Sequence, residues 1–257
     1  MPGTSAHDPG HGSGQDGELL DRFTALAGPG SRGVGEELLA RWGEPHRRYH
    51  TVAHLRAVLA RLDELAGCAA DETAVGLAAW FHDAVYDPSA PDNEERSARL
   101  AERLLPPGPR RDEVARLVRL TTTHDPADDD ANGAALCDAD LAVLAAPPAR
   151  YAAYAAEIRQ EYGFVSDEDF RTGRAAVLRR LLALPHLFRT PHGRAHWEAT
   201  ARFNLNGELL LLTAGPPYAR GFPAPVSALV RRASIASMRN CGSVRRGPKI
   251  SSSCRIR

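Results

Sequence analysis

The sequence predicts an all-α protein, and three observations carry that expectation. Apolar residues recur at three- and four-residue spacing over most of the chain, prolines and glycines fall between the periodic stretches, and alternating β-branched runs are nearly absent. A helix turns once every 3.6 residues, so this spacing gathers apolar side chains on one face, whereas a half-buried strand needs a period of two.

In chain order, residues 1–17 are rich in Gly, Asp, His and Ser and hold no apolar stretch, so a disordered N-terminus is expected there and not a secretory signal. Residues 19–26 read as helical. The segment Gly28-Pro29-Gly30-Ser31-Arg32-Gly33 has the spelling of a dinucleotide fingerprint, but that motif needs a preceding strand, so a loop is expected. Helical periods follow at 52–65, 74–81, 98–105, 114–120, 151–158, 170–182 and 197–212. Pro88, Pro91, Pro106, Pro109, Pro147, Pro148, Pro185 and Pro191 separate them, and Asp71 and Asp167 stand where helix caps belong. One helical domain over 18–213 is expected. Beyond it, 214–257 carries nine Arg and Lys and no Asp or Glu, and reads as a disordered basic tail.

The whole chain has 257 residues and a formal net charge of zero, which gives no argument for a nucleic-acid or membrane partner. No apolar run is long enough to span a bilayer. Cys68, Cys137, Cys241 and Cys254 form no CxxC pair, so free thiols and a cytoplasmic location are expected.

Four phrases bring chemistry-bearing side chains against apolar helical stretches: Tyr49-His50-Thr51-Val52-Ala53-His54, Trp80-Phe81-His82-Asp83, Thr121-Thr122-Thr123-His124 and Cys137-Asp138-Ala139-Asp140. His82-Asp83 ends an apolar run expected to be buried, and an unpaired buried carboxylate is costly; a divalent cation or an arginine would offset it. Imidazole nitrogen with carboxylate oxygen suits Mn, Fe, Zn, Co or Ni, among which the residues do not choose. Such an ion lowers the pKa of a water it binds and neutralises phosphate oxygens. His50 and His54 are four apart and share a helix face, so either could ligate; Asp138 and Asp140 also compete, though two residues apart on a helix they would point to different sides.

The order His…His-Asp…Asp resembles that of HD-superfamily phosphohydrolases. Longer phrases resemble one bacterial branch of predicted metal-dependent members: Glu44-Pro45-His46-Arg47-Arg48-Tyr49-His50, Trp80 to Asp87, Asn93-Glu94-Glu95-Arg96-Ser97-Ala98, Asp138-Ala139-Asp140-Leu141, Ile158-Arg159-Gln160-Glu161-Tyr162 and Ala201-Arg202-Phe203-Asn204-Leu205. They fall between Trp42 and Leu212, nearly the whole body. The resemblance implies an HD-type helical bundle, a divalent metal on His54, His82, Asp83 and Asp138, and hydrolysis of a phosphate monoester or diester in a nucleotide or small metabolite through a metal-activated water. Asp138 is preferred to Asp140 as the first Asp of its phrase. His50, Glu94 and His124 are candidate catalytic groups, and Arg47 and Arg96 candidate phosphate clamps. Tyr151, Tyr154, Ile158 and Tyr162 read as a packing stripe. The alternative is a non-catalytic nucleotide-binding or sensor module that retains the metal site. Neither the exact phosphate substrate nor the oligomeric state is written in the motifs.

Overall fold

The computed structural model describes residues 10–214, and within them every regular element is helical. In order these are α1 (Gly10–Ala27), α2 (Arg32–Trp42), α3 (Val52–Glu64), α4 (Glu72–Phe81), α5 (Asn93–Leu104), α6 (Pro109–Leu120), α7 (Ala131–Leu141), a 3-10 turn (Ala142–Ala145), α8 (Pro148–Glu161), α9 (Asp167–Leu182), α10 (Pro191–His196) and α11 (Glu198–Thr213). The tail expected over 214–257 lies outside the described residues from 215 onward. None of these helices is long and apolar enough to cross a membrane.

Helix α4 is the axis of the fold. Every residue from Ala74 to Phe81 is buried, because the helix packs against α1, α3, α5, α6 and α7. A helix apolar all round has no face to offer water and must be enclosed. Asp71 starts it, its side chain accepting from the Ala74 amide at 2.9 Å. Trp42, at the end of α2, fixes the other end by donating its indole N–H to the Trp80 carbonyl at 3.0 Å. Phe23, Trp42, Trp80 and Phe81 are fully buried together, with Phe23 edge-on to Trp80.

Two further layers close around this axis. Helices α5 and α6 form a hairpin on one side, and α11 packs on α9 and on the 3-10 turn on the other. Asn204 ties α11 down by donating to the carbonyls of Leu144 and Ala146 at 2.9 and 2.8 Å. Side-chain caps start α7 (Asp130 to Gly133), α9 (Ser166 to Asp169) and α10 (Thr190 to Gly193). The cap of α9 is thus Ser166, and Asp167 is its first helical residue.

The N-terminus departs from expectation. Helix α1 begins at Gly10, so 10–17, expected to be disordered, are helical. Asp16 is held there by an ion pair of 2.7 Å with Arg56 of α3, a long-range partner that local composition does not announce. The loop expected at 28–33 is a short turn, with Gly28 and Gly30 at φ +92° and +86°, and α2 starts within its sequence at Arg32.

Candidate metal centre and cleft

Three helix ends converge beneath a cleft. His54 lies in the first turn of α3, His82 directly follows α4, and Asp140 is the penultimate residue of α7. Their ligand atoms fall within 4.8 Å of one another. His54 Nε2 is 3.3 Å from His82 Nε2 and 3.0 Å from Asp140 Oδ1. Asp83 completes the group, its Oδ2 3.2 Å from His82 Nε2 and 4.0 Å from His54 Nε2. Both histidines are buried and Trp42 walls them at ring distances of 6.1 and 5.3 Å.

The donor chemistry fits a cation. His82 Nδ1 lies 2.8 Å from the Ala79 carbonyl, which only accepts, so Nδ1 carries a proton and Nε2 is the nitrogen that would ligate a cation on giving up its own. Two imidazole nitrogens 3.3 Å apart, with two carboxylates beside them, make a set of electron-pair donors facing one another. The carboxyl ends of α4 and α7 add partial negative charge. Without a cation, charges must compensate internally. Burial drives His82 down, yet Asp83 and Asp140 outweigh it and hold its pKa well above the ordinary value. Burial alone would raise both Asp83 and Asp140, but the neighbouring imidazoles, His82 first, pull both below the usual carboxylate range. His54 moves the other way, lowered chiefly by burial.

On α7 the structure brings Asp140 to the cluster, not the Asp138 preferred from sequence. Asp138 points away from the cluster: Oδ1 accepts from the Arg189 amide at 2.8 Å, and Oδ2 from the Thr190 amide at 2.8 Å and hydroxyl at 2.7 Å. It is a buried anchor for the start of α10. Two residues along a helix turn about 200°, so Asp140 faces the opposite side and joins the histidines.

The same geometry separates His50 from His54. His54 belongs to the cluster; His50 stands on the cleft wall, its Nδ1 donating to Glu161 Oε2 at 2.7 Å and its Nε2 3.9 Å from Asp83 Oδ2. Burial depresses the His50 pKa, but Glu161 and Asp83 more than compensate and raise it. Glu161, assigned no role from sequence, organises this corner. Its Oε1 accepts from the amides of Arg48, Tyr49 and His50 at 2.8, 2.9 and 3.0 Å, and Oε2 also accepts from the Tyr86 hydroxyl at 2.8 Å. Burial works against its charge, but His50 and these donors bring its pKa down to about 2. The signal for it was its place in a phrase already singled out, with no apolar reason for a carboxylate there.

His124 meets Asp140 from the far side, Nε2 to Oδ2 at 2.7 Å, and it alone among the described non-glycine residues has a positive φ, +51°. Glu94, in the first turn of α5, is 7% exposed and lines the cleft, where burial raises its pKa.

Neither expected phosphate clamp faces the cleft. The Arg47 guanidinium is wholly buried, donating to the carbonyls of His50, Asp83 and Ala84 and paired with Glu44, so it braces the backbone that carries the site. Arg96 stands outside the cleft, half exposed, with Asp92 4.0 Å away. Three members of the expected packing stripe, Tyr154, Ile158 and Tyr162, line the cleft, while Tyr151 is bonded to Glu208. No protein-family model, curated protein or solved structure matches this chain.

Proposed function

We propose that the chain is a metal-dependent phosphohydrolase of the HD type, acting on a phosphate ester at the His54–His82–Asp83–Asp140 cluster. One observation carries the reading: two buried imidazoles and two carboxylates bring their donor atoms together on the floor of an open cleft, where a single divalent cation could be shared among them. A divalent ion bound by these residues would supply Lewis acidity and neutralise phosphate charge.

The chain's own groups provide the rest. His50, kept oriented by Glu161 through Nδ1–H and with its pKa raised by Glu161 and Asp83, presents Nε2 to the cleft, where the protonated ring donates to a phosphate oxygen. Glu94 is placed to orient a water, its raised pKa suiting a group that exchanges a proton. His124, through Asp140, holds that carboxylate in the direction of the histidines. In the overall reaction the water oxygen forms a bond to phosphorus, the ester P–O bond breaks, and the departing oxygen takes a proton.

The test is elemental analysis of untagged protein beside Asp140→Ala and His82→Ala, with release of inorganic phosphate measured on a panel of esters. We expect near-stoichiometric Mn, Fe, Zn, Co or Ni in the parent and loss of metal and turnover in both variants. Metal-free protein that gains no ion on addition would overturn the assignment. Metal with saturable nucleotide binding but no turnover would point to a sensor instead.

A further inference from the structure

The cleft extends well past the cluster, and its outer part has a chemistry of its own. It encloses about 200 Å³. Away from the histidines its walls are Leu144 beyond α7, Ile158 of α8, Phe170 and Val177 of α9, with Tyr162 and Phe164 in the α8–α9 connection. Phe164 is 56% exposed and lies in a stacked arrangement on Tyr162 with ring centroids 6.0 Å apart. A phenyl ring exposed at the rim of an apolar chamber gains burial when an apolar body enters.

The charges along the same walls restrict what else can enter. Outside the metal cluster, Glu94 and Asp169 line the cleft, against one guanidinium, Arg174. That cation is already committed: it pairs with Glu208 through Nε at 2.8 Å and Nη2 at 3.0 Å, and lies over the Tyr154 ring at 5.3 Å. A second or third phosphate would find carboxylates and a neutralised arginine where polyphosphate sites present cations.

We propose that the substrate is a phosphomonoester with a single phosphate and an apolar body, the body seated among Leu144, Ile158 and Val177 and covered by Phe164, which sets specificity. This rests on the phosphohydrolase reading. Hydrolysis then adds water across the P–O bond, giving the apolar alcohol and inorganic phosphate.

The experiment compares kcat/KM of the metal-loaded full chain on 1-naphthyl phosphate, glycerol 1-phosphate and ATP, in the parent, Phe164→Ala and Val177→Phe. We expect naphthyl phosphate to exceed glycerol phosphate by roughly 100-fold and ATP to be the poorest. Phe164→Ala, at an exposed position that packing does not need, should cut the naphthyl-to-glycerol ratio about fivefold, and Val177→Phe should cut it further by filling the chamber. Equal rates on the two monoesters, or preference for ATP, would overturn the substrate class while leaving phosphohydrolysis standing. Absence of phosphate release from every ester would overturn the hydrolase reading instead. The chamber is then read by calorimetry with 1-naphthylphosphonate and methylphosphonate, where equal affinities would overturn it too.

Discussion

Asp138 and Asp140 have the same side chain, two positions apart, and opposite duties. Asp140→Asn should lose bound metal and turnover together. Asp138→Asn keeps the metal but leaves three donors facing a group that no longer takes them all, a loss of roughly 2–3 kcal/mol by urea unfolding. A metal-free Asp138→Asn with intact stability would reverse the assignment. Glu161 allows a test by pH. Its carboxyl sits at about 2 against an ordinary 4.5, so its contribution to stability is complete above pH 4.5 and is lost as pH falls toward 2. The contribution is on the order of 3 kcal/mol. Glu161→Gln should therefore melt well below the parent at pH 5–6, and the gap should close steadily toward pH 2.5. His50 adds the mirror effect, since a raised pKa stabilises fully below about 6.5 and fades as pH climbs through the raised value.

At the scale of elements, α10 is six residues long and hangs on Asp138, so close packing at its centre is decisive. A Cβ on Gly193 would stand 2.7 Å from Asp138 Oδ2 and 2.7 Å from Phe188 Cβ. Gly193→Ala should cost about 1–3 kcal/mol in chemical denaturation while preserving metal content. The elements also differ in how far the sequence disclosed them. Amphipathic helices α3, α8, α9 and α11 were legible within a few residues, because each shows one face to water. Helix α7 was not, since Ala135 to Ala139 are all buried and no polar stripe marks its outer face. With both sides enclosed, periodicity gave no means to decide which aspartate faced the histidines. Likewise Arg47 reads as a free cation in sequence; only the folded chain brings the Asp83 and Ala84 carbonyls, some 36 residues away, to consume it.

For the whole molecule, the cluster joins α3, the end of α4 and α7, segments distant in sequence whose mutual positions define the bundle. An ion held there would bind the folded chain and not the unfolded one. At a free concentration 100-fold above Kd it should add about 2.7 kcal/mol, which in a body of this size raises Tm by roughly 5–10 °C. Differential scanning fluorimetry with Mn, Co or Zn, reversed by chelator, reads the effect, and Asp140→Asn should abolish it. Equal shifts in parent and variant would mean that the ion binds elsewhere.

His124 puts a cost on the map of this bundle. A β-carbon at φ +51° is held in a conformation most residues avoid, and it is held there beside Asp140. Glycine would relieve the backbone at that position while removing the imidazole. His124→Gly thus trades a relieved backbone against the lost hydrogen bond to Asp140, two effects of similar size and opposite sign, so its melting temperature should move little while the carboxylate loses its orientation. A survey of randomised residue 124, scored separately for melting temperature and for metal content, would reveal whether this corner was shaped by durability or by its place beside the cluster.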